Sequence, residues 1–216
     1  SAAINTHQEL TFEAWVQTPT IVSGTTYQIF GTSCGLLEVA LIGSRFGVYR
    51  SGFTGQPQYG ATTVASKTWY HLAVVIPLQA TKLMRIYVNG KLDSTPAPFD
   101  YPAANTTALL TDIGLLGAGA GLSACINLAE PLSTAKPWTG LMDDVRISNG
   151  NRYGGLTQFV PPRRLYADAQ TVALWRFDRS ATSTPYAEDS GNTTVVDKTV
   201  AGLVTRYVAE GHARLE

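Results

Sequence analysis

The run Gly31-Thr32-Ser33-Cys34-Gly35 has the G-x-S-x-G spacing of a nucleophilic serine, which needs a strained strand-to-helix turn to lift its hydroxyl beside an oxyanion hole. The surrounding residues do not supply the rest of that apparatus. Leu36 to Ile42 ends at Gly43 and suits a strand better than a helix, and of the three histidines only His71 and His212 follow Ser33. His71 lies inside a strand-like run with no aspartate between it and the serine, so it reads as a packed, hydrogen-bonded sheet residue. Glycoside hydrolysis would need two carboxylates flanking the bond to be cut. Glu13 has no acidic residue two positions away, and Asp143 and Asp144 are adjacent, which in a regular strand sends them to opposite faces. No catalytic spacing is complete, and a non-enzyme is expected.

Two other groups of residues could bind. Asp143, Asp144, Asn149, Asn151, Asp178, Asp189, Asn192 and Asp197 crowd the last third of the chain. Hard cations such as calcium take oxygens of this kind together with loop carbonyls; equally, Asp and Asn cap turns by bonding their own backbone. Tyr49, Phe53, Tyr59, Tyr101, Trp138 and Tyr153 fall at strand ends or in loops, where a flat ring can stack on a sugar, although most aromatics of a sandwich are core. The two cysteines, Cys34 and Cys125, match no metal-knuckle spacing. They either form one bridge across a long loop or remain buried thiols.

The elements that must carry these residues are strands. Leu10-Thr-Phe-Glu-Ala-Trp-Val16 puts Leu10, Phe12, Ala14 and Val16 on one face, predicted as core, and Thr11, Glu13 and Trp15 on a semi-exposed one. Tyr27–Phe30, Leu36–Ile42 and Phe46–Arg50 read as further strands, and Trp69–Ile76, apolar on both faces, as a central one. In Leu83-Met-Arg-Ile-Tyr-Val-Asn-Gly-Lys-Leu92 the Asn89-Gly90 pair predicts a type I′ hairpin, because both central residues need positive φ. Trp138–Ser148 and Thr171–Phe177 are two more strands, with an irregular wrap over Gly154–Ala169 between them. Thr193–Val208 closes the chain with one or two strands, and no composition break divides it. The expectation is one all-β domain over residues 1–216, a two-sheet antiparallel β-sandwich.

Charge and hydropathy narrow the partners. Lys+Arg and Asp+Glu are both 16 in 216 residues, for a net charge of zero, so the electrostatic footprint of a nucleic-acid binder is missing. The apolar runs reach only about ten residues, half of what a bilayer-spanning helix needs, and no membrane insertion is expected. The opening Ser1-Ala-Ala-Ile-Asn-Thr-His7 has neither the basic nor the apolar region of a signal peptide, as in a processed or recombinant N-terminus.

An ordered set of segments carries a family resemblance: Leu10-Thr-Phe-Glu-Ala-Trp-Val16, Trp69-Tyr-His-Leu-Ala-Val-Val75, Leu83 to Lys91, Trp138-Thr-Gly-Leu-Met-Asp-Asp-Val-Arg-Ile-Ser148, Phe159-Val-Pro-Pro162, Ala173-Leu-Trp-Arg-Phe-Asp178 and Asp189-Ser-Gly-Asn192. Together, over about residues 10–192, they resemble the laminin-G-like branch of the concanavalin A-like lectin/glucanase superfamily, leaving 193–216 as terminal strand and tail. The resemblance implies a concanavalin A-like jelly roll. It also implies a non-catalytic recognition or adhesion module that is extracellular or at the cell surface, with a glycan or cell-surface polymer as partner. A structural subunit that self-associates through sheet edges, or an accessory domain of a secreted enzyme, are the alternatives. Calcium at the rim is implied at Asp143 and Asp189, with Asn192 nearby, bracing a loop. In many bacterial members the segment resembling Ala173–Asp178 opens the domain, whereas here it comes last. Either these strands complete the same sandwich in permuted order or they begin a next unit.

Overall fold

In the computed structural model, residues 9–31, 37–50, 57–77, 83–95, 97–98 and 136–177 are described, and these contain strands and no helix. The strands are β1 (Glu9–Gln17), β2 (Thr26–Gly31), β3 (Leu37–Ile42), β4 (Arg45–Arg50), β5 (Gln58–Tyr59), β6 (Trp69–Pro77), β7 (Leu83–Val88), β8 (Lys91–Leu92), β9 (Ala97–Pro98), β10 (Lys136–Pro137), β11 (Leu141–Asn149) and β12 (Thr171–Trp175). They form a seven-stranded sheet ordered β12-β11-β1-β6-β7-β8, with β9 also on β7, and a five-stranded sheet ordered β10-β2-β3-β4-β5. Pairing is antiparallel except between β10 and β2, which run parallel.

Period-two alternation builds the space between the sheets. From the large sheet Phe12, Ala14, Val16, Val74, Ile76 and Ile86 point inward, and from the small sheet Ile29, Val39, Leu41, Phe46 and Val48 meet them. Phe12 and Phe30 stack across the sandwich with ring centroids 4.9 Å apart. Trp138 is fully buried in the same core, its indole N–H donating to the Leu141 carbonyl at 3.1 Å; it is therefore packing rather than a binding platform, and β11 begins only at Leu141.

The hairpin forms as predicted. Asn89 and Gly90 have φ of 51° and 76°, and the Asn89 side-chain oxygen accepts from the His71 N–H at 2.9 Å. β12 pairs with β11, and Val172, Ala173, Trp175 and Phe177 enter the shared core. For these residues the permuted order is realised: the late strand completes this chain's own sheet. Thr193–Val208 lies outside the described residues.

The other face of β1 departs from expectation. Thr11 and Glu13 are fully buried, because residues 151–170, here called the strap, cross the outside of the large sheet. The strap also covers the β8 edge: Lys91 bridges Gln158, Leu92 N–H donates to the Thr157 carbonyl at 2.9 Å, and Phe159 N–H to the Gly90 carbonyl at 2.8 Å. A Cβ on Gly90 would run into the Phe159 carbonyl and Pro161, so glycine is needed there for close approach as well as for positive φ.

Candidate functional site

The densest set of reactive side chains among the described residues lies beneath the strap. β1 presents Glu13, β6 presents His71, β11 presents Arg146 and Ser148, and the strap supplies Arg152 and Tyr153. Cross-strand register brings the sheet residues together, since Glu13 stands opposite Arg146 on one side and Ala73 on the other, with His71 opposite Trp15. Glu13 Oε1 accepts from Arg146 Nε at 2.6 Å and faces Arg146 Nη2 at 2.5 Å and Arg152 Nε at 3.4 Å. Its Oε2 accepts a short hydrogen bond from the Tyr153 hydroxyl. His71 Nε2 stands 3.5 Å from the same oxygen, at the outer limit of hydrogen bonding.

The rest of the cluster is secured in turn. Arg146 Nη1 donates to the Tyr166 carbonyl at 2.6 Å, and Arg152 Nε to Ser148 Oγ at 2.8 Å. Arg152 Nη2 pairs with Asp168 at 2.5 Å. Tyr153 and Phe159 stack at 3.8 Å, and Phe159 lies 5.8 Å from His71 and 5.4 Å from Tyr87, closing an aromatic cover over Ala73 and Val75. Trp15 Nε1 donates to the Pro162 carbonyl at 3.1 Å.

Burial by itself would raise the Glu13 carboxyl. The His71 contact, the Arg146 charge and the Tyr153 hydrogen bond outweigh it and hold the group below the ordinary carboxylate range. The Tyr153 phenol is pushed up, by burial first and by the adjacent Glu13 charge next. A carboxylate, an imidazole, a phenol and two guanidiniums are the parts of a general acid–base site, but a catalytic group must come within hydrogen-bond reach of its substrate. Glu13 and His71 have 0% of their surface exposed. The arrangement ties the strap to the sheet.

Asp143 is half-buried on β11, and its Oδ1 accepts from the Asp144 N–H at 2.9 Å. The expectation that Asp143 and Asp144 simply alternate between faces fails, because a bulge interrupts the register opposite Glu13–Trp15 and Asp144 takes a positive φ of 47°. Its carboxylate is thereby available to accept from the Leu165 N–H of the strap at 2.9 Å. Asp189 and Asn192, the other expected calcium ligands, lie outside the described residues, as do Cys34, Cys125, Ser33, Phe53 and Tyr101. Among the described residues no three His, Cys, Asp or Glu side chains gather to hold a metal.

The aromatic candidates divide sharply. Tyr49 and Trp138 are buried and Tyr153 is half-buried against Phe159, whereas Tyr59 is 40% exposed. Tyr166, 62% exposed on the strap, was not singled out by the sequence. The outer face of the small sheet carries Gln28, Glu38, Ala40, Gly47 and Tyr49, all buried, and reaches solvent at Arg45 and Tyr59. The Arg45 guanidinium lies 5.3 Å from the centre of the Tyr59 ring.

Two facing sheets with this order and a strapped outer face define a β-sandwich of the concanavalin A-like jelly-roll class. The chain belongs to the laminin-G-like family of the concanavalin A-like lectin/glucanase superfamily, whose family model matches residues 1–153. No curated protein matches it. Among solved structures it is similar to a candidate carbohydrate-binding protein from Bacteroides ovatus, at 15% identity and a TM-score of 0.56 over 86% of this chain and 50% of that one. The chain thus spans half the length of that protein. It also overlaps a pentraxin from Limulus polyphemus, at 13% identity and a TM-score of 0.43 over 65% of this chain and 64% of that one. Botulinum neurotoxin type C matches at 14% identity and a TM-score of 0.38 over 50% of this chain and 27% of that one. Among the described residues no helix is long and apolar enough to cross a membrane.

Proposed function

We propose that this chain is a non-catalytic, carbohydrate-binding module of a secreted or surface protein. The observation that carries the reading is the sealed Glu13 cluster. In a superfamily that includes both lectins and glucanases, the one dense set of acid–base groups among the described residues is buried and spent on fastening the strap. What is left at the surface is recognition chemistry: exposed aromatic rings at Tyr59 and Tyr166 on strands and a pinned strap, which hold them still and reduce the entropy lost on binding. The likeness to a candidate carbohydrate-binding protein agrees with this.

A filament built through sheet edges finds no support at β8, whose edge is occupied by residues 157–159 of the same chain. The test is a glycan array probed with the purified chain, together with a reducing-end assay on the glycans it retains. Retention without hydrolysis is expected. Turnover of a retained glycan, or an array with no signal at all, would overturn the proposal.

A further inference from the structure

The pair formed by Arg45 and Tyr59 is built differently from the rest of the small sheet's outer face. Phe46 and Val48 point into the core, so Arg45 and Gly47 point outward; Gly47 is register partner to Tyr59 on the edge strand β5. Arg45 and Tyr59 are therefore diagonal neighbours on one surface, which places the guanidinium 5.3 Å from the ring centre. The seat of the ring depends on a missing side chain. A Cβ on Gly47 would lie 3.1 Å from the Ile42 Cδ1 and the Gln58 carbonyl and 3.4 Å from the Tyr59 Cδ1.

Arg45 is exposed, and among the described residues it makes no ion pair or hydrogen bond and has the Tyr59 ring as its one partner. That leaves a planar fork of N–H donors facing water beside a two-fifths exposed aromatic surface. Other arginines of the fold are committed: Arg146 to Glu13, and Arg152 to Glu13 and Asp168. An exposed cation–π contact adds little to stability, a weak structural reason for keeping both side chains at the surface. A guanidinium fork matches a carboxylate bidentately, and a tyrosine ring offers a surface for the C–H face of a pyranose. A saccharide bearing a carboxylate presents both groups on one residue.

We propose that Arg45 and Tyr59 form a subsite for a carboxylate-bearing sugar, a uronic or sialic acid unit, on the outer edge of the small sheet. The assignment rests on the carbohydrate-binding reading above and adds the ligand's charge and place. Arg45 takes the carboxylate, and Tyr59 orients the guanidinium and covers the ring of the sugar.

The test measures binding of oligogalacturonate, alginate and hyaluronan oligosaccharides and sialyllactose, each beside its methyl-esterified, neutral counterpart. At least one acid is expected to bind about tenfold or more tightly than its ester, with an affinity that falls as salt rises. Arg45→Gln is expected to erase the preference, Arg45→Lys to restore part of it, and Tyr59→Ala to weaken the acid. Arg163→Gln, which removes the same charge from the strap, is expected to leave binding unchanged. Melting curves establish that each variant is folded. Equal binding of acids and esters, binding of neutral glycans only, or an undiminished preference in Arg45→Gln would overturn the subsite while leaving the carbohydrate reading intact. Failure to bind any glycan, charged or neutral, would remove both.

Discussion

Replacing Glu13 by alanine strips the buried cluster of its central carboxylate. Arg152 keeps Asp168 at 2.5 Å, but Arg146, only 8% exposed, is left among the described residues with the Tyr166 carbonyl as its one acceptor. Removing one partner of a buried ion pair costs about 3–5 kcal/mol, because the remaining charge is neither paired nor hydrated. Loss of the Tyr153 hydrogen bond lies within that figure, since the same carboxylate receives it. Glu13→Gln keeps the shape and one acceptor, and about 2 kcal/mol is expected. The double variant Glu13→Leu with Arg146→Met removes both charges but leaves the Tyr153 hydroxyl without its acceptor, and is expected to recover to within about 1–3 kcal/mol of the wild type. Urea unfolding followed by tryptophan fluorescence gives these values, and amide exchange at Leu92 and Phe159, whose N–H groups bond across the strap contact, shows whether the strap loosens first. A cost below about 0.5 kcal/mol for Glu13→Ala, or a double variant as unstable as the sum of its single changes, would refute the argument.

Four further outcomes follow from the same contacts. The Glu13 carboxyl is held below its ordinary 4.5, so its stabilisation is complete above about pH 4.5 and fades as pH falls through the lower native value; the acid-side fall in Tm should be shallower in Glu13→Gln. Tyr153→Phe keeps the stack on Phe159 and loses the hydroxyl bond to Glu13, an expected loss of about 1–3 kcal/mol in urea unfolding. Gly90→Ala meets both a φ of 76° and the Phe159 carbonyl, and is expected to cost about 2 kcal/mol or more, read as a lower Tm with faster exchange at Phe159. Calcium at Asp143, Asp189 and Asn192 is expected to raise the Tm of chelator-treated protein and to lose that effect in Asp143→Asn; superimposable melting curves would exclude it.

Much of the architecture can be read from local pattern. Alternation in Leu10–Val16 and the two-sided apolar run at Trp69–Ile76 are properties of neighbouring residues, as is the positive-φ requirement met by Asn89-Gly90. The irregular wrap was legible for the same reason, from its lack of period. Its apolar members Phe159 and Leu165 are the local trace of its covering role, since Leu165 is buried and Phe159 half-buried against the sheet.

What covers a face is not a local property. Period two places Glu13 opposite the core, but its burial comes from a guanidinium 133 positions later in the chain and a strap further on still. The aromatics show the same division. Composition and spacing put Tyr49, Tyr59, Trp138 and Tyr153 in one group of ring-bearing candidates, and only tertiary packing made Trp138 core, Tyr153 half-buried beneath the strap and Tyr59 a surface ring beside Arg45. The sequence determined the strands, the hairpin and the two-sheet class, because backbone propensity and side-chain alternation act between near neighbours. The tertiary structure decided which polar groups fasten the fold and which stay exposed, because that depends on what distant segments bring to each face.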